Sequence, residues 1–244
     1  MRALVVVPTF NEAGNIDAVL RRIRAALPDA RVLVVDDTSP DGTAEAVERL
    51  ADELGGISLL RRPAKSGLAS AYRDGFAQGV ADGAPVLVQI DADLSHDPAA
   101  LPALVSAVEH GADLAMGSRY VPGGRIVGWP WRRRWLSRWG NRYAAAMLGL
   151  AVNDATSGYR AYSASAIERL DMASLDAEGY GFQIEMTYRL VRAGSPIVEI
   201  PITFTDRVAG ESKLSGGIVR EALGLVTRLA LGDLFRIARW RRPS

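Results

Sequence analysis

Five short apolar runs, four of them followed by an amphipathic stretch of helical length, constrain this chain more than any other feature. "ALVVVP" precedes "NIDAVLRRIRAALP", "RVLVVDD" precedes "TAEAVERLADEL", and "ISLLRR" precedes "GLASAYRDGFAQGVADG". "PVLVQIDAD" then leads into "PAALPALVSAVEHGA", and "DLAMGSR" makes a fifth strand. Near-continuous Val, Leu and Ile runs are strands covered on both faces. The pattern therefore predicts an α/β fold with a mostly parallel central sheet and helices on both faces. Such sheets bind ligands beyond the carboxyl ends of their strands. Here the strands end in polar residues: Asn11-Glu12, Asp36-Asp37, Asp91 and Asp93, Ser118-Arg119. After Gly123 the pattern loosens into two more helical stretches, "SASAIERL" and "FQIEMTYRLVRAG", and one strand, "PIVEIPITFTDR". An amphipathic helix over 215–244 closes the chain. No repeat or low-complexity linker interrupts it, so 1–244 reads as one domain with an elaborated second half.

Composition removes several classes of function. With 48% hydrophobic residues in 244, there is enough apolar material for a substantial core. A formal charge of +1 supplies no global field toward nucleic acid, so any basic signal is local. The absence of cysteine excludes disulfides, thiolate nucleophiles and Cys-ligated zinc. Neither G-x-G-x-x-G after a strand nor G-x-x-x-x-G-K-[ST] occurs. The apolar run at the N-terminus is too short for a signal peptide, and no stretch reaches about 18 uninterrupted apolar residues, which argues against a spanning helix.

In "VLVQIDADLSHD" a strand that reads as buried runs into Asp91-Ala92-Asp93. An extended chain points residues i and i+2 to one side, about 6.6 Å apart. Two carboxylates so placed repel each other without a positive partner. They suit Mg2+ or Mn2+, which takes one or two carboxylates and fills its shell with water and phosphate oxygens. Asp97, directly before Pro98, is read instead as a helix N-cap. In "VVDDTSPDGT", Asp41-Gly42 is turn chemistry, while Asp36 and Asp37 are open to either capping or acceptance from a ribose hydroxyl or base N–H. Arg207 and Lys213 in "FTDRVAGESKL" are cations of the kind a departing diphosphate needs, or solvated loop charges.

Taken together, "PTFNE", "VVDDTSPDGT", "DADLSHDP", "GSRYVPGG", "WPWRR", "TSGYRAY" and "FTDRVAGESK" occur in the order seen in polyprenol-phosphate (dolichol-phosphate) mannose synthases. The chain resembles these inverting family-2 glycosyltransferases from about Leu4 to Leu214. The resemblance implies a GT-A nucleotide-sugar fold with GDP-mannose as donor and a polyprenyl phosphate as acceptor. It places Pro8, Phe10, Glu12, Val35 and Asp37 around the nucleotide, with the Ala92 backbone nearby. Asp91 and Asp93 would hold Mg2+ or Mn2+, and Arg207 and Lys213 the diphosphate. Arg119 of "GSRY" and Arg133 of "WPWRR" fall where the family places cations for the sugar or the acceptor phosphate. Some relatives carry Gln two beyond the second Asp; here Ser95 stands there, and water would complete the shell. Glu185 in "GFQIEM" lies where many relatives place a catalytic acid and is kept as an acceptor-site residue.

Only two histidines occur, and neither pairs with a nucleophile in the sequence. A phosphate monoester acceptor, with a second pKa of about 6, arrives already anionic and needs no general base. The segment 116–153 has no acidic residue and contains Arg125, Arg132, Arg133, Arg134, Arg138 and Arg142. Trp131, Trp135, Trp139 and Tyr143 recur at i, i+4 spacing, an aromatic stripe on a helix. Such a helix suits an anionic membrane surface. Core anchoring and single-stranded nucleic acid are the competing readings, and the second leaves the Asp pair unexplained. The C-terminal "RIARWRR" suits lipid headgroups or a membrane-spanning partner protein, while packing on its own domain accounts equally well for Ala222, Leu225 and Leu229. The expectation is a peripheral enzyme on the cytoplasmic face of a membrane that binds no nucleic acid. A UDP-sugar transferase and a non-enzymatic basic scaffold are the alternatives.

Overall fold

The computed structural model describes residues 3–175, 177, 179–206 and 216–240. The first half alternates as the apolar runs predict: β1 (Leu4–Thr9), α1 (Ile16–Ala26), β2 (Arg31–Asp36), α2 (Thr43–Leu54), β3 (Ile57–Arg61), α3 (Leu68–Ala81), β4 (Val86–Gln89), α4 (Leu101–Glu109) and β5 (Leu114–Ser118). Asp97 caps a short 3-10 turn, Pro98–Ala100, that leads into α4; its side chain accepts from the Ala99 N–H. The second half adds β6 (Arg125–Val127), α5 (Trp131–Leu148), β7 (Arg160–Ser163), α6 (Ala164–Leu170), α7 (Gly179–Arg192), β8 (Ile197–Pro201), β9 (Thr203–Thr205) and α8 (Gly216–Trp240).

Seven strands form the main sheet in the order β3-β2-β1-β4-β7-β5-β8. All neighbours are parallel except β7, which runs antiparallel to both β4 and β5. Two features depart from the sequence reading. The single strand expected over "PIVEIPITFTDR" is two: β8 joins the main sheet beside β5, while β9 pairs with β6 in a separate two-stranded ribbon. Strand β7 runs from the end of "TSGYRAY" into Ser163, the first residue of the stretch read as helical, where no strand was expected.

Both faces of the sheet are covered. Val5, Val7, Val32, Val34 and Val88 pack with Ile16, Leu20, Val47 and Leu104 on one side. Leu4, Val6, Leu33, Val35 and Leu87 meet Tyr72, Phe76 and Ile184 on the other. Helix α3 lies flush on that second face because its contact positions are glycines. A Cβ at Gly75 would stand 2.4 Å from Val6 Cγ1, and one at Gly79 would stand 2.3 Å from Leu87 Cδ2. This close seat fixes the height of α3 over the ends of β1 and β4. Among the described residues no helix is long and apolar enough to cross a membrane.

Candidate active site

The loops after β1, β2 and β4 converge on a cleft of about 360 Å³, within the range of small-molecule sites. Each loop holds one non-glycine residue in the left-handed region: Asn11 at φ 60°, Thr38 at φ 57° and Leu94 at φ 59°. Strain of about 1–3 kcal/mol per residue persists only where surroundings impose it, and it clusters at functional sites. Three such residues on three adjacent loops mark this edge of the sheet.

Pro8, Phe10, Glu12 and Asp37 all line the cleft. Asp36 and Asp37, equivalent in the sequence, separate. Asp36 is buried and accepts from Thr9 Oγ1 at 2.8 Å and from the Ser39 N–H and Oγ, so its role is to tie two loops together. Asp37 reaches the cleft while held by the buried Arg62 at 2.5 Å and the Ser66 N–H at 3.3 Å. Val35 does not line the cleft: it points to the opposite side of β2 from Asp36 and is fully buried in the core cluster that includes Tyr72 and Phe76 of α3. Only its backbone remains available to a nucleotide.

Asp91 and Asp93 both line the cleft, with the Ala92 backbone between them. They do so by a different route from the one expected of an extended strand. Strand β4 ends at Gln89, and the two carboxylates sit on the turn that follows, bent by Leu94. Asp93 Oδ1 accepts from the Ser95 N–H at 3.0 Å, and Asp91 Oδ1 accepts from the Tyr72 hydroxyl at 3.0 Å. Burial, then the nearby Asp91 charge, pushes the Tyr72 phenol well above its ordinary pKa, so it is a donor at neutral pH. The donor set fits a divalent ion that keeps part of its own shell: two hard carboxylates from one turn, with Gly158 beside Asp91. A Cβ at Gly158 would stand 3.6 Å from Asp91 Oδ2. Among the described residues no group of three or more His, Cys, Asp or Glu could hold an ion. Ser95 and His96 also line this part of the cleft. The His96 ring lies 5.1 Å from Tyr159 and 5.2 Å from Phe204, so it is packed as an aromatic.

The cations sort differently. Arg207 and Lys213 lie outside the described residues. Arg119 lines the cleft but is buried against Asp154, donating Nε at 2.7 Å and Nη2 at 2.6 Å, with a further Nη2 bond to Thr156. Burial works against its charge and the Asp154 carboxylate outweighs burial, so its pKa lies above that of an ordinary guanidinium. Breaking such a pair by removing one partner costs about 3–5 kcal/mol. Asp154→Asn is therefore expected to lower the melting temperature by roughly 10 °C, at about 2–4 °C per kcal/mol, measured by calorimetry. Arg133 lies 4.0 Å over the Trp129 ring, and its Nη1 bonds Asp206 at 3.2 Å. Asp206 also accepts from Trp129 Nε1. Glu185 does not line the cleft: it is buried and paired with Arg189 at 2.7 Å, one helical turn on along α7.

Sequence reasoning passed over Lys65, which lines the cleft with Nζ 3.7 Å above the Phe10 ring. A lysine in "RRPAKSG" carries no local signal that separates it from a solvated loop charge. It also passed over Tyr72, Asp154, Asp206 and Gln183. An apolar groove adjoins the cleft. Leu136, Trp139 and Tyr143 of α5, Ile184 of α7, and Leu223 and Val226 of α8 line it. Groove and cleft share Arg119, Trp129, Arg133, Thr156 and Tyr180. Trp131, Trp135 and Trp139 are 66%, 63% and 43% exposed, so these three are not core anchors, whereas Tyr143 at the end of the stripe is half-buried against the core. Helix α8 buries Leu225, Val226 and Ala230 against the rest of the chain, and Tyr188 bonds Asp233 at 2.6 Å, so its apolar face is used in packing.

A mostly parallel sheet with one inserted antiparallel strand, and a carboxylate-bearing cleft across its strand ends, are the features of a GT-A-type glycosyltransferase. The chain belongs to glycosyl transferase family 2, whose description matches residues 4–171. It is 48% identical over 240 residues to the undecaprenyl-phosphate mannosyltransferase of Micrococcus luteus, covering 98% of this chain and 96% of that protein. It is 45% identical to the polyprenol monophosphomannose synthase of Mycolicibacterium smegmatis, over 98% of this chain and 86% of the other. A dolichol-phosphate mannosyltransferase of Pyrococcus furiosus is 35% identical, over 98% of this chain and 67% of that protein. Among solved structures, glucosyl-3-phosphoglycerate synthase from Mycobacterium tuberculosis superposes with TM-score 0.68 at 22% identity, covering 93% of this chain and 79% of the other, which shows the shared fold.

Proposed function

We propose that this chain is one catalytic domain that transfers mannose from GDP-mannose to a polyprenyl phosphate, with inversion, at the cytoplasmic face of a membrane. The observation that carries the reading is the junction of a polar, carboxylate-bearing cleft with an apolar groove through Arg119, Trp129 and Arg133. A phosphate bearing a long isoprenoid chain needs that combination: cations at the mouth and an apolar run behind it. The names of three relatives, each matched over 98% of this chain, agree with it.

The residues divide the work by position. Phe10, with Lys65 Nζ over one face of its ring, lines with Glu12 and Asp37 the part of the cleft assigned to the nucleotide. Asp91 and Asp93 would hold Mg2+ or Mn2+, and the ion, when bound, neutralises charge on the departing diphosphate. Arg207 and Lys213 are assigned to that same diphosphate by their place in the sequence. Arg119 has Nη1 left over after Asp154 and Thr156 engage Nε and Nη2, and the guanidinium groups of Arg119 and Arg133 both lie against the Trp129 ring, 5.5 and 4.0 Å from its centroid. Between them an acceptor phosphate oxygen attacks the anomeric carbon, the bond from that carbon to the diphosphate oxygen breaks, and GDP leaves with the electron pair. The attacking phosphate is already anionic, so no proton need be removed. Catalysis is then in-line positioning with electrostatic stabilisation. The exposed Trp and Arg of α5 would seat the domain on anionic lipid beside the groove.

The test pairs GDP-mannose, UDP-glucose and UDP-GlcNAc with a short polyprenyl phosphate, with and without chelator. Lipid-linked sugar is expected from GDP-mannose alone and only without chelator. Efficient transfer from a UDP-sugar overturns the donor assignment.

A further inference from the structure

The aromatic core under the cleft contains a donor aimed at the Asp pair. Tyr72 is fully buried on α3, and its ring stacks on Phe76 at 5.8 Å, which in turn meets Tyr162 edge-on at 5.6 Å. Because Gly75 and Gly79 seat α3 directly on Val6, Leu4 and Leu87, the helix cannot settle closer to the sheet. The hydroxyl of Tyr72 therefore reaches a fixed point, 3.0 Å from Asp91 Oδ1. The other oxygen, Oδ2, lies beside Gly158, and both residues line the cleft.

We infer that Tyr72 is a positioning residue for the divalent cation, commits Asp91 Oδ1 to the protein, and presents Oδ2 to the ion. This rests on the reading of Asp91 and Asp93 as the metal carboxylates. The terminal torsion of an aspartate is intrinsically broad. One hydrogen bond from a rigid donor selects a single orientation and draws off part of the charge that repels Asp93. Outer partners of this kind typically change metal affinity by about 10–100-fold. A buried tyrosine that merely satisfied its hydroxyl would affect stability and leave ion affinity alone.

Tyr72→Phe keeps the ring and its stack on Phe76 while removing the donor. Mn2+ binding in the presence of GDP is read by the loss of the free-ion electron paramagnetic resonance signal, and GDP binding is measured separately with chelator present. The Mn2+ dissociation constant is expected to rise about tenfold or more, with GDP affinity in chelator unchanged. Incorporation of 3-fluorotyrosine at position 72, which retains the donor, should hold Mn2+ affinity near that of the parent. A Tyr72→Phe protein that melts like the parent and binds Mn2+ within twofold of it overturns the inference. So does equal weakening by fluorotyrosine. If the parent protein binds Mn2+ no better than Asp91→Asn does, the metal site itself is wrong and the inference falls with it.

Discussion

Replacing Asp91 or Asp93 by Asn is expected to reduce mannosyl transfer by at least about a thousandfold while leaving the fold intact. The size follows from the role: stabilising charge on a departing diphosphate contributes several kcal/mol, and about 4 kcal/mol is a factor of a thousand in rate. The preserved stability follows from the surroundings. Asn keeps an oxygen to accept from the Ser95 N–H at position 93 and from the Tyr72 hydroxyl at position 91. It also removes one of two like charges on the same turn, which repel in the absence of a cation. The melting temperature should stay level or rise slightly. Asp154→Asn provides the contrast, since there the carboxylate is the partner of a buried guanidinium and its loss destabilises. Steady-state transfer and differential scanning calorimetry on the three variants separate a site carboxylate from a structural one. Transfer by Asp91→Asn or Asp93→Asn within tenfold of the parent would remove the metal from the mechanism.

The difference between those aspartates also shows what a sequence can and cannot convey. Strands β1, β2 and β4 were legible because their Val and Leu runs are buried on both faces, which leaves no polar alternation to confuse the pattern. Strand β7 was not. It is four residues long and begins with Arg160, a fully buried guanidinium satisfied by neutral acceptors such as the carbonyls of Ser157, Ala155 and Gln183. A charged residue in a central strand contradicts the rule by which strands are read. The split of "PIVEIPITFTDR" into β8 and β9 was hidden for a related reason: both halves have β-propensity, and only pairing with different sheets tells them apart.

Within the site, the positions on strand ends were visible, whereas their partners were not. Tyr72 lies 19 residues from Asp91, Arg62 lies 25 from Asp37, Asp154 lies 35 from Arg119, and Asp206 lies 73 from Arg133. Each partner, read locally, is a core aromatic or a loop charge. Its function exists only after the sheet has brought distant loops to one edge. Asp36 and Asp37 make the same point at a separation of one residue, since β2 ends at Asp36, which ties loops, while Asp37 just beyond it is held at the cleft by Arg62 and the Ser66 N–H.

The exposed aromatic stripe gives the second large effect. Trp131→Ala with Trp135→Ala should weaken binding to vesicles containing anionic lipid by about a hundredfold and leave the melting temperature unchanged. About two-thirds of each indole is open to solvent. Half-burial of that area at a headgroup boundary contributes about 1.5 kcal/mol per side chain at roughly 25 cal/mol per Å². The two together reach about 3 kcal/mol, or a factor of about a hundred in affinity. Neither indole packs in the core, so stability should move by no more than about 0.5 kcal/mol. The exposed Arg132, Arg134, Arg138 and Arg142 on the same helix add an attraction to anionic headgroups of about 1 kcal/mol each near the surface, which salt screens. Added salt should therefore weaken the residual binding of the double variant further. Trp139 is left in place because it lines the groove assigned to the isoprenoid chain. Transfer to a short, water-soluble polyprenyl phosphate should then proceed at the parental rate, while transfer to a long-chain acceptor embedded in vesicles falls with membrane affinity. Vesicle binding equal to that of the parent would mean that α5 faces something other than a membrane. Parallel loss of transfer to the soluble acceptor would place these indoles in the site rather than at a lipid surface.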